Sequence, residues 1–351
     1  MEPVRVGVVG CGVIGTNHMG IATSSPGLEL AAAADLVESY RTRAQERFKP
    51  AAMYESGEEL FDDPNVELVV LAFPTRYRFE MGMKALAKGK HLLTEKPVAM
   101  NADEVRSLIA ARGELKAACC SSRYRFTDGA RKATEIVRSG ALGDLRILRH
   151  RNINPAGKKP GSPRPEWRLK KHLNGGGYLV NWGCYDLDYL LGLTEWTLKP
   201  TSVFAQIWTI PSIFVEHAAP NSDAETHYMA LIQCEGGAVL SLERSEYTAA
   251  SREEAWAVIG SEGSLRLHML ASRPNRIVMD KGDSEAGVSS ETVWEQNESS
   301  GGHHRGPLTD IAAAIREDRE PMTSLERALV MQQITDAIYE SAETGRSVSI
   351  D

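Results

Sequence analysis

Short apolar runs alternate with longer helix-like stretches along the first part of the chain. Runs rich in Val, Leu and Ala occupy residues 4–9, 28–34, 67–73, 91–94 and 117–120. Such continuous runs are typical of strands that are buried on both faces of a parallel sheet. The stretches between them have helical character, notably residues 38–48, 79–88 and 101–112. This alternation predicts an α/β fold with a doubly wound parallel sheet.

A glycine turn follows the first predicted strand directly. Its sequence GCGVIG fits the pattern GxGxxG, in which the first glycine permits a tight turn and the second allows close approach of a pyrophosphate. The third glycine lets the following helix pack closely, with its N-terminal amides facing the anion. We therefore expect cofactor contacts from Gly10, Cys11, Gly12, Val13, Ile14 and Gly15. The alternative is a glycine turn in an α/β domain that binds no nucleotide.

The second predicted strand ends in Asp35, twenty positions after Gly15. An acidic residue there can accept hydrogen bonds from the ribose hydroxyls and repel a 2′-phosphate. No arginine follows Asp35 immediately, although Arg41 and Arg43 lie a few residues further on. The sequence therefore favours NAD over NADP as the cofactor.

Ligands of doubly wound sheets bind at the carboxyl ends of the strands. Two further strand ends carry candidate residues, namely Phe73, Pro74 and Thr75 after one strand and Glu95, Lys96 and Pro97 after another. Lys96 could bind a substrate oxygen beside the nicotinamide and lower the pKa of a neighbouring acid. The alternative is a surface lysine paired with Glu95.

The rest of the chain contains shorter strand-like segments and a helical end. Strands are expected at residues 145–152, 203–209, 226–234, 238–246, 254–259 and 264–270. Gly-Gly at 236–237 and Gly-Ser-Glu-Gly at 260–263 predict hairpin turns. Residues 155–165 and 280–302 are expected to form mobile loops. A capping-box pattern at 323–326 opens a helix that is expected to end at Gly345.

The segment GGGYLVNWGCYDLDYLLG, residues 175–192, carries polar residues within a helical pattern. At roughly 100° per residue, Asn181, Tyr185 and Asp188 fall within about 60° of one another. The three glycines are expected to let the backbone approach a ligand closely. We expect Asn181 to orient a substrate and Asp188 to hold Tyr185, Lys96 or a substrate hydroxyl. A solvated helix face is the alternative.

Other polar residues are candidates for substrate binding. Trp167 and Arg168 could stack on a sugar or bind its hydroxyls, the alternative being a packing tryptophan beside a solvated arginine. Arg125 could bind the substrate, and the alternative is an ion pair between the two domains. His303 is a candidate for the lining of the substrate cleft. No metal site is expected, because the adjacent His303 and His304 point to different faces and lack further ligands at suitable spacing.

Composition narrows the class of protein. The 351 residues include 42% hydrophobic and 25% charged residues, as in ordinary globular enzymes. A net charge of -7 argues against a nucleic-acid partner. The five cysteines form no CxxC pair, which indicates reduced thiols. With no signal peptide and no run apolar enough to span a bilayer, we expect a cytoplasmic protein that does not bind membranes.

These motifs together resemble the family of glucose–fructose oxidoreductase, inositol dehydrogenase and MocA proteins. GCGVIG, Asp35 and the Glu-Lys-Pro motif carry the resemblance, and so do YRF at 124–126, SGALGDL at 139–145, GSEGSL at 260–265 and ESAETGRSV at 340–348. The resemblance implies a Rossmann domain at 1–122 and a second, α+β domain at 123–302 with an open, mostly antiparallel sheet. Helices at 303–351 are expected to return to the Rossmann domain.

The resemblance also implies an activity. Members of the family are typically oxidoreductases of sugars, cyclitols and related polyols. The chain is therefore expected to oxidise a secondary hydroxyl of a sugar, glycoside or cyclitol with NAD, or to reduce the ketone, and to form a homodimer or tetramer through the open sheet. In relatives the lysine that corresponds to Lys96 assists proton transfer, and the Lys-Pro bond of the motif is often cis.

Three positions depart from the family pattern. Its common D-x-G-x-H-x-x-D motif has Asn181 in place of the first aspartate and Tyr185 in place of the histidine. Arg78 replaces a histidine that is common after the Pro-Thr pair. Tyr185 becomes the candidate base. A free tyrosine has a pKa of about 10, and a nearby Lys96 ammonium and the positive nicotinamide would favour the phenolate.

Two other functions remain open at this level. One is a redox-neutral enzyme that keeps NAD tightly bound and cleaves a glycosidic bond through transient oxidation and elimination. The other is a non-catalytic, NAD-dependent binding or regulatory protein. In that case the replacement of the histidine and the first aspartate indicates that catalytic activity has been lost.

Overall fold

A computed structural model describes residues 2–122, 124–268, 275–296 and 304–350. The chain divides into two compact units. The first unit comprises Met1–Arg123 and Gly302–Gln332, and the second comprises Tyr124–Gly301 and Gln333–Asp351.

The strands follow one another along the chain in two sets. They are β1 Val4–Val9, β2 Leu28–Ala34, β3 Ala52–Tyr54, β4 Leu68–Leu71, β5 His91–Thr94, β6 Ala117–Cys119, β7 Leu145–Pro155, β8 Pro200–Trp208, β9 His227–Cys234, β10 Val239–Thr248, β11 Glu253–Gly260, β12 Gly263–His268, β13 Asn275–Asp283, β14 Gly287–Gln296 and β15 Val348–Ser349.

The helices connect the strands of the first set and flank the second. They are α1 Val13–Ser24, α2 Glu38–Phe48, α3 Gly57–Phe61, α4 Arg78–Ala87, α5 Ala102–Arg112, α6 Asp128–Arg138, α7 Lys171–Asn174, α8 Cys184–Leu193, α9 Arg305–Glu317 and α10 Leu325–Thr344.

The first unit is built on a six-stranded parallel sheet in the order β3-β2-β1-β4-β5-β6. All four residues of β4 are fully buried, as expected for a strand that is covered on both faces. Helix α9 contributes Leu308, Ile311 and Ala312 to the cluster that contains Val6 and Val8 of β1. The predicted doubly wound sheet is confirmed.

The second unit is built on a nine-stranded open sheet in the order β14-β13-β12-β11-β7-β10-β9-β8-β15. Its pairs are antiparallel except for β7 with β10, which is parallel. Burial alternates along β9, because one face of the sheet packs on the interior and the other is exposed. The predicted open, mostly antiparallel sheet is confirmed.

One loop prediction was wrong. Residues 280–296 are not a mobile loop, because β13 and β14 pair there as a hairpin. Gly287, the first residue of β14 after the turn, has φ 80°. Strand β14 lies at the edge of the sheet, and its first six residues are exposed. A strand that buries neither face shows no alternation of polar and apolar residues, so its sequence resembles a loop. Residues 297–302 lie outside the described part.

The predicted C-terminal helix is present as α10, which ends before Gly345 at φ 67°. Within the described residues, we found no helix that combines the length and apolar character required to cross a bilayer.

Candidate functional site

The three glycines of the turn in the first unit have different surroundings. Gly10 has φ 95°, and a Cβ on Gly15 would lie 1.7 Å from the carbonyl oxygen of Gly10. A Cβ on Gly12, in contrast, would meet no atom within 4 Å. The first and third glycines are therefore required by the turn itself, whereas Gly12 faces open space.

The N-terminus of α1 is available to an anion. No side chain caps this helix, and its first turn contains no acidic residue. The free amides and the helix dipole favour a negatively charged group there. Val13 and Leu36 are 93% and 85% exposed, which leaves apolar surface beside the turn. These features fit a bound dinucleotide.

Asp35 is held in place at the end of β2 by the backbone. Its two carboxylate oxygens accept hydrogen bonds from the amides of Cys11, at 2.7 Å, and Val37, at 2.8 Å. Arg41 donates to the carbonyl oxygens of Asp35 and Leu36, at 2.8 and 3.2 Å. The arginine is thus engaged with the backbone, while the fixed negative charge of Asp35 suits ribose hydroxyls and repels a 2′-phosphate.

Arg78 ties two strand ends of the first unit together. Its buried guanidinium donates to the carbonyl oxygens of Phe73 at 2.6 Å, Glu95 at 2.9 Å and Pro97 at 2.5 Å. The Lys96–Pro97 peptide bond is cis. Arg78 therefore positions the turns that follow β4 and β5, which carry Phe73, Thr75 and Lys96. The sequence marked Arg78 only as a departure from the family pattern.

The carboxylate of Glu95 is buried beneath Lys96. It accepts the Lys96 amide at 3.3 Å and lies 2.8 Å from Nε2 of His18, whose other neighbour is the Cys120 sulfur at 3.9 Å. Burial alone would raise the pKa of Glu95, but His18, Lys96 and Arg78 together hold it at about 2. The carboxylate is a fixed anion. Sequence reasoning missed His18, because its partner lies 77 positions away.

In the second unit, the glycine run Gly175–Gly177 is surrounded by protein. A Cβ on Gly177 would lie 1.9 Å from the carbonyl oxygen of Glu225, and one on Gly176 would lie 1.8 Å from the Tyr339 hydroxyl. The Glu225 carboxylate accepts the amides of Gly177 and Leu179 and the hydroxyl of Tyr339, at 2.9–3.0 Å. The close approaches that Gly176 and Gly177 permit are therefore made by Tyr339 and Glu225 of the protein itself, although Gly177 also lines the pocket described below.

The following helical segment is not a regular α-helix. Residues Leu179–Gly183 form a π-helical turn, and α8 begins at Cys184. All ten residues of α8 are buried, including Asp186 and Asp188. The alternative of a solvated helix face therefore does not apply to α8, and the π-helical turn departs from the regular 100° spacing that was assumed for Asn181.

Two members of the predicted group of Asn181, Tyr185 and Asp188 contact residues outside the group. Tyr185 is 4% exposed, and its ring packs edge-on against Trp182 with centroids 5.8 Å apart. Asp188 receives two hydrogen bonds from Arg125, at 2.5 and 3.2 Å. Arg125 is thus engaged in an ion pair within the second unit, and Asp188 is its carboxylate partner.

A second buried carboxylate was missed by the sequence analysis. Asp186 is fully buried and binds Arg244 through two hydrogen bonds, at 2.8 and 2.9 Å. Tyr228 donates to the same carboxylate at 3.2 Å, and Nδ1 of His150 lies 3.4 Å away. Burial, partly offset by Asp186, lowers the pKa of His150 to about 3, so this histidine is neutral near pH 7.

A pocket in the second unit brings together two of the predicted substrate residues, Arg168 and Asn181. The other lining residues come from four segments of the chain, namely Arg164, Pro165, Glu166, Leu169, Gly177, Tyr178, Ala218, Ala219, Ser222 and Tyr247. Trp167 is half-buried, and the Arg168 guanidinium lies 5.9 Å from the centroid of its ring. His303 lies outside the described residues.

The parallel sheet, the open glycine turn and the fixed Asp35 define an NAD-binding Rossmann oxidoreductase. Comparison with family models identifies the family. Residues 4–122 match the oxidoreductase family with an NAD-binding Rossmann fold, and residues 130–266 match the GFO/IDH/MocA C-terminal domain. The chain belongs to the Gfo/Idh/MocA family and is an NAD-dependent dehydrogenase.

Curated relatives match along nearly the whole chain. The D-glucoside 3-dehydrogenase of Escherichia coli is 25% identical over an alignment of 358 positions, which covers 99% of this chain and 98% of the relative. The NAD-dependent scyllo-inositol 2-dehydrogenase of Bacillus subtilis is 25% identical over an alignment of 354 positions, which covers 99% of this chain and 96% of the relative.

Solved structures share the fold. Levoglucosan dehydrogenase in complex with NADH superposes with a TM-score of 0.84 at 22% identity, covering 100% of both chains. The aldose–aldose oxidoreductase of Caulobacter crescentus, complexed with glycerol, superposes with a TM-score of 0.80 at 22% identity, covering 99% of this chain and 100% of that one.

Proposed function

We propose that this enzyme oxidises a secondary hydroxyl of a sugar, glycoside or cyclitol, or reduces the corresponding ketone. The observation that carries the proposal is the pocket of the second unit, where Arg168, Asn181 and Ser222 meet the rings of Tyr178 and Tyr247. Donors and acceptors beside aromatic surface suit the hydroxyls and apolar faces of a sugar ring. The names of the glucoside and inositol dehydrogenases among its relatives support this substrate class.

In this proposal NAD⁺, when bound, supplies the acceptor for the hydride. The amides at the start of α1 beside Gly12 would hold the pyrophosphate, and Asp35 would hold the adenosine ribose. Like-charge repulsion between Asp35 and a 2′-phosphate makes NADP the poorer cofactor.

Tyr185 is the proposed base that takes the proton of the reacting hydroxyl. It occupies the position of the family's histidine, and Asn181, which lines the pocket, precedes it by four residues. In this proposal the hydroxyl of Tyr185 reaches the bound ring from the helix that follows the pocket-lining turn. Lys96 is the proposed cation that assists the proton transfer. Its backbone is fixed by Glu95 and by the Arg78 contacts to residues 95 and 97.

The test is a panel of sugars, glycosides and cyclitols incubated with the enzyme and NAD⁺. Two quantities are followed together, the absorbance of NADH and the loss of substrate by mass spectrometry. Formation of one NADH per substrate consumed is the expected result. Loss of a glycoside without NADH would instead identify the redox-neutral mechanism, and binding without loss of any substrate would identify a non-catalytic binding protein.

We propose further that the enzyme forms a homodimer or tetramer through its open sheet. Phe204 and Trp208 on β8 and Met229 and Leu231 on β9 are 42–55% exposed, and Phe204 pairs directly with Leu231. Exposed apolar side chains on two neighbouring strands suit association with a second copy. The double change Phe204→Glu and Leu231→Glu is expected to give monomers in sedimentation analysis. An unchanged oligomer, or a monomeric wild type, would contradict the assignment.

We place the enzyme in the cytoplasm. All five cysteines are free and buried, which suits a reducing compartment. Fractionation of cells that express the tagged full chain tests this placement, and recovery outside the cytoplasmic fraction would refute it.

A further inference from the structure

We propose that the pocket of the second unit binds a carboxylate group on the substrate through Arg168, so that the preferred substrates are acidic sugars such as uronic acids and their glycosides. This inference rests on the proposed sugar or cyclitol substrate and narrows it to a charged class.

The charge balance of the pocket carries the inference. Its lining contains three charged residues, Arg164, Glu166 and Arg168. Arg164 lies 3.7 Å from the carboxylate of Glu246, and Glu166 lies 3.4 Å from the ammonium of Lys170. Each of these two charges is therefore matched by one of opposite sign.

Arg168 is the exception. Among the residues that the structure describes, no carboxylate oxygen lies within 4.0 Å of its guanidinium, and no side-chain hydrogen bond occupies it. Arg168 is half-buried, and its guanidinium lies 5.9 Å from the centroid of the Trp167 ring. A half-buried guanidinium without a counter-charge is a ready partner for an anion, because its planar fork can bind a carboxylate through two parallel hydrogen bonds.

The surrounding groups suit a sugar that carries such an anion. The Tyr178 hydroxyl accepts a hydrogen bond from Arg164 at 3.1 Å, and its ring meets that of Tyr247 edge-on at 6.2 Å. Burial, and then the negative charge of Glu246, raises the pKa of Tyr178, so its hydroxyl stays neutral. Asn181 and Ser222 add neutral donors and acceptors. The single unmatched positive charge fits the single charge of a carboxylate better than the double charge of a phosphate.

Asn181 connects this pocket along the chain with the proposed base. It lies in the π-helical turn that leads into α8, and Tyr185 follows four residues later. In this proposal Arg168 holds the carboxylate of the substrate, and a ring hydroxyl of the same molecule reaches Tyr185.

The test is direct binding, measured by titration calorimetry on the NAD-loaded enzyme. The probes are the methyl glycosides of glucuronic, galacturonic and mannuronic acid, each beside its neutral hexoside, with glucose 6-phosphate as the phosphate probe. At least one uronide is expected to bind about tenfold more tightly than its neutral counterpart, because the hydrogen bonds between a guanidinium and a carboxylate are charge-assisted. Arg168→Gln is expected to bring that affinity ratio close to one, and Arg168→Lys is expected to restore only part of it.

The matched control is Arg146→Gln, which removes an exposed arginine from β7, outside the pocket. It is expected to leave the ratio unchanged. The inference is overturned if no uronide outbinds its hexoside, if Arg168→Gln leaves the ratio intact, or if glucose 6-phosphate binds more tightly than every uronide. Binding is independent of turnover. Selective binding without NADH formation would refute the proposed dehydrogenation alone, and oxidation of neutral sugars without uronide preference would refute the carboxylate site alone.

Discussion

Each of the two units contains a helical segment that follows a glycine-rich turn and lies beside a carboxylate. In the first unit, Gly10–Gly15 leads into α1 and Asp35 accepts two backbone amides. In the second unit, Gly175–Gly177 leads into the π-helical turn and Glu225 accepts the amides of Gly177 and Leu179. The local arrangements are alike, but their surroundings differ.

The difference lies in what occupies the start of the helix. Gly12 faces open space, so the amides of α1 remain available to an external anion. In the second unit the fully buried carboxyl group of the protein's own Glu225 accepts the amides, and burial raises its pKa. A glycine run thus indicates that something approaches the backbone closely, but it does not indicate whether that group is a ligand or the protein itself.

The largest expected effect follows from the crowding at Gly177. A Gly177→Ala change places a Cβ 1.9 Å from the Glu225 carbonyl oxygen, which is backbone and has little freedom to move. We expect loss of the folded second unit, seen as the absence of a cooperative thermal transition and of soluble protein. Gly12→Ala is the matched control and is expected to fold normally. Equal stability of the two variants would remove the distinction between the turns.

The second effect concerns the buried side chain of Glu225. Glu225→Ala leaves two amides and the Tyr339 hydroxyl without their buried acceptor. Since each unpaired buried donor costs about 1–3 kcal/mol, the free energy of unfolding is expected to fall by at least about 3 kcal/mol in urea titrations. Glu235→Ala, at an exposed glutamate of the same unit, is expected to change it by less than about 0.5 kcal/mol. A similar decrease in the free energy of unfolding in both variants would show that the hydrogen bonds to Glu225 do not stabilise the second unit.

The third effect separates ligand binding from stability. Asp35→Asn removes the negative charge while an amide oxygen remains to accept one backbone hydrogen bond. NAD affinity is expected to fall about tenfold, because a charged hydrogen bond to the ribose is lost, with little change in unfolding temperature. Fluorescence titration with NADH and NADPH measures both affinities. Unchanged preference for NADH over NADPH would mean that Asp35 does not select the cofactor.

The smallest effect is a pH dependence within the second unit. Because burial lowers the pKa of His150 to about 3, the unfolded chain binds a proton at this position at higher pH than the folded protein. The contribution of His150 to stability is therefore complete above about pH 6.5 and is lost as the pH falls towards 3. His150→Gln is expected to flatten the stability curve in this window, by about 1 kcal/mol between pH 6.5 and 5.5. A slope equal to that of the wild type would contradict the buried neutral state.

The sequence predicted the first unit better than the second for a physical reason. Strands buried on both faces have continuous apolar runs, and a dinucleotide turn needs its glycines at fixed spacing, so GCGVIG and Asp35 carried enough information. Strand β14 buries neither face and left no pattern. The ion pair between Asp186 and Arg244 spans 58 positions, and Glu225 meets Gly177 across 48. Such pairings depend on the folded sheet and have no local signal.

The most direct test of the account is the rate of NADH formation by the wild type and by Tyr185→Phe, on the best substrate of the panel. The phenylalanine ring keeps the packing against Trp182 and removes only the hydroxyl. General base catalysis contributes about 10²–10⁴-fold, so kcat is expected to fall by at least about 100-fold with NADH affinity unchanged. Near-normal turnover in Tyr185→Phe would contradict the assignment of Tyr185 as the base.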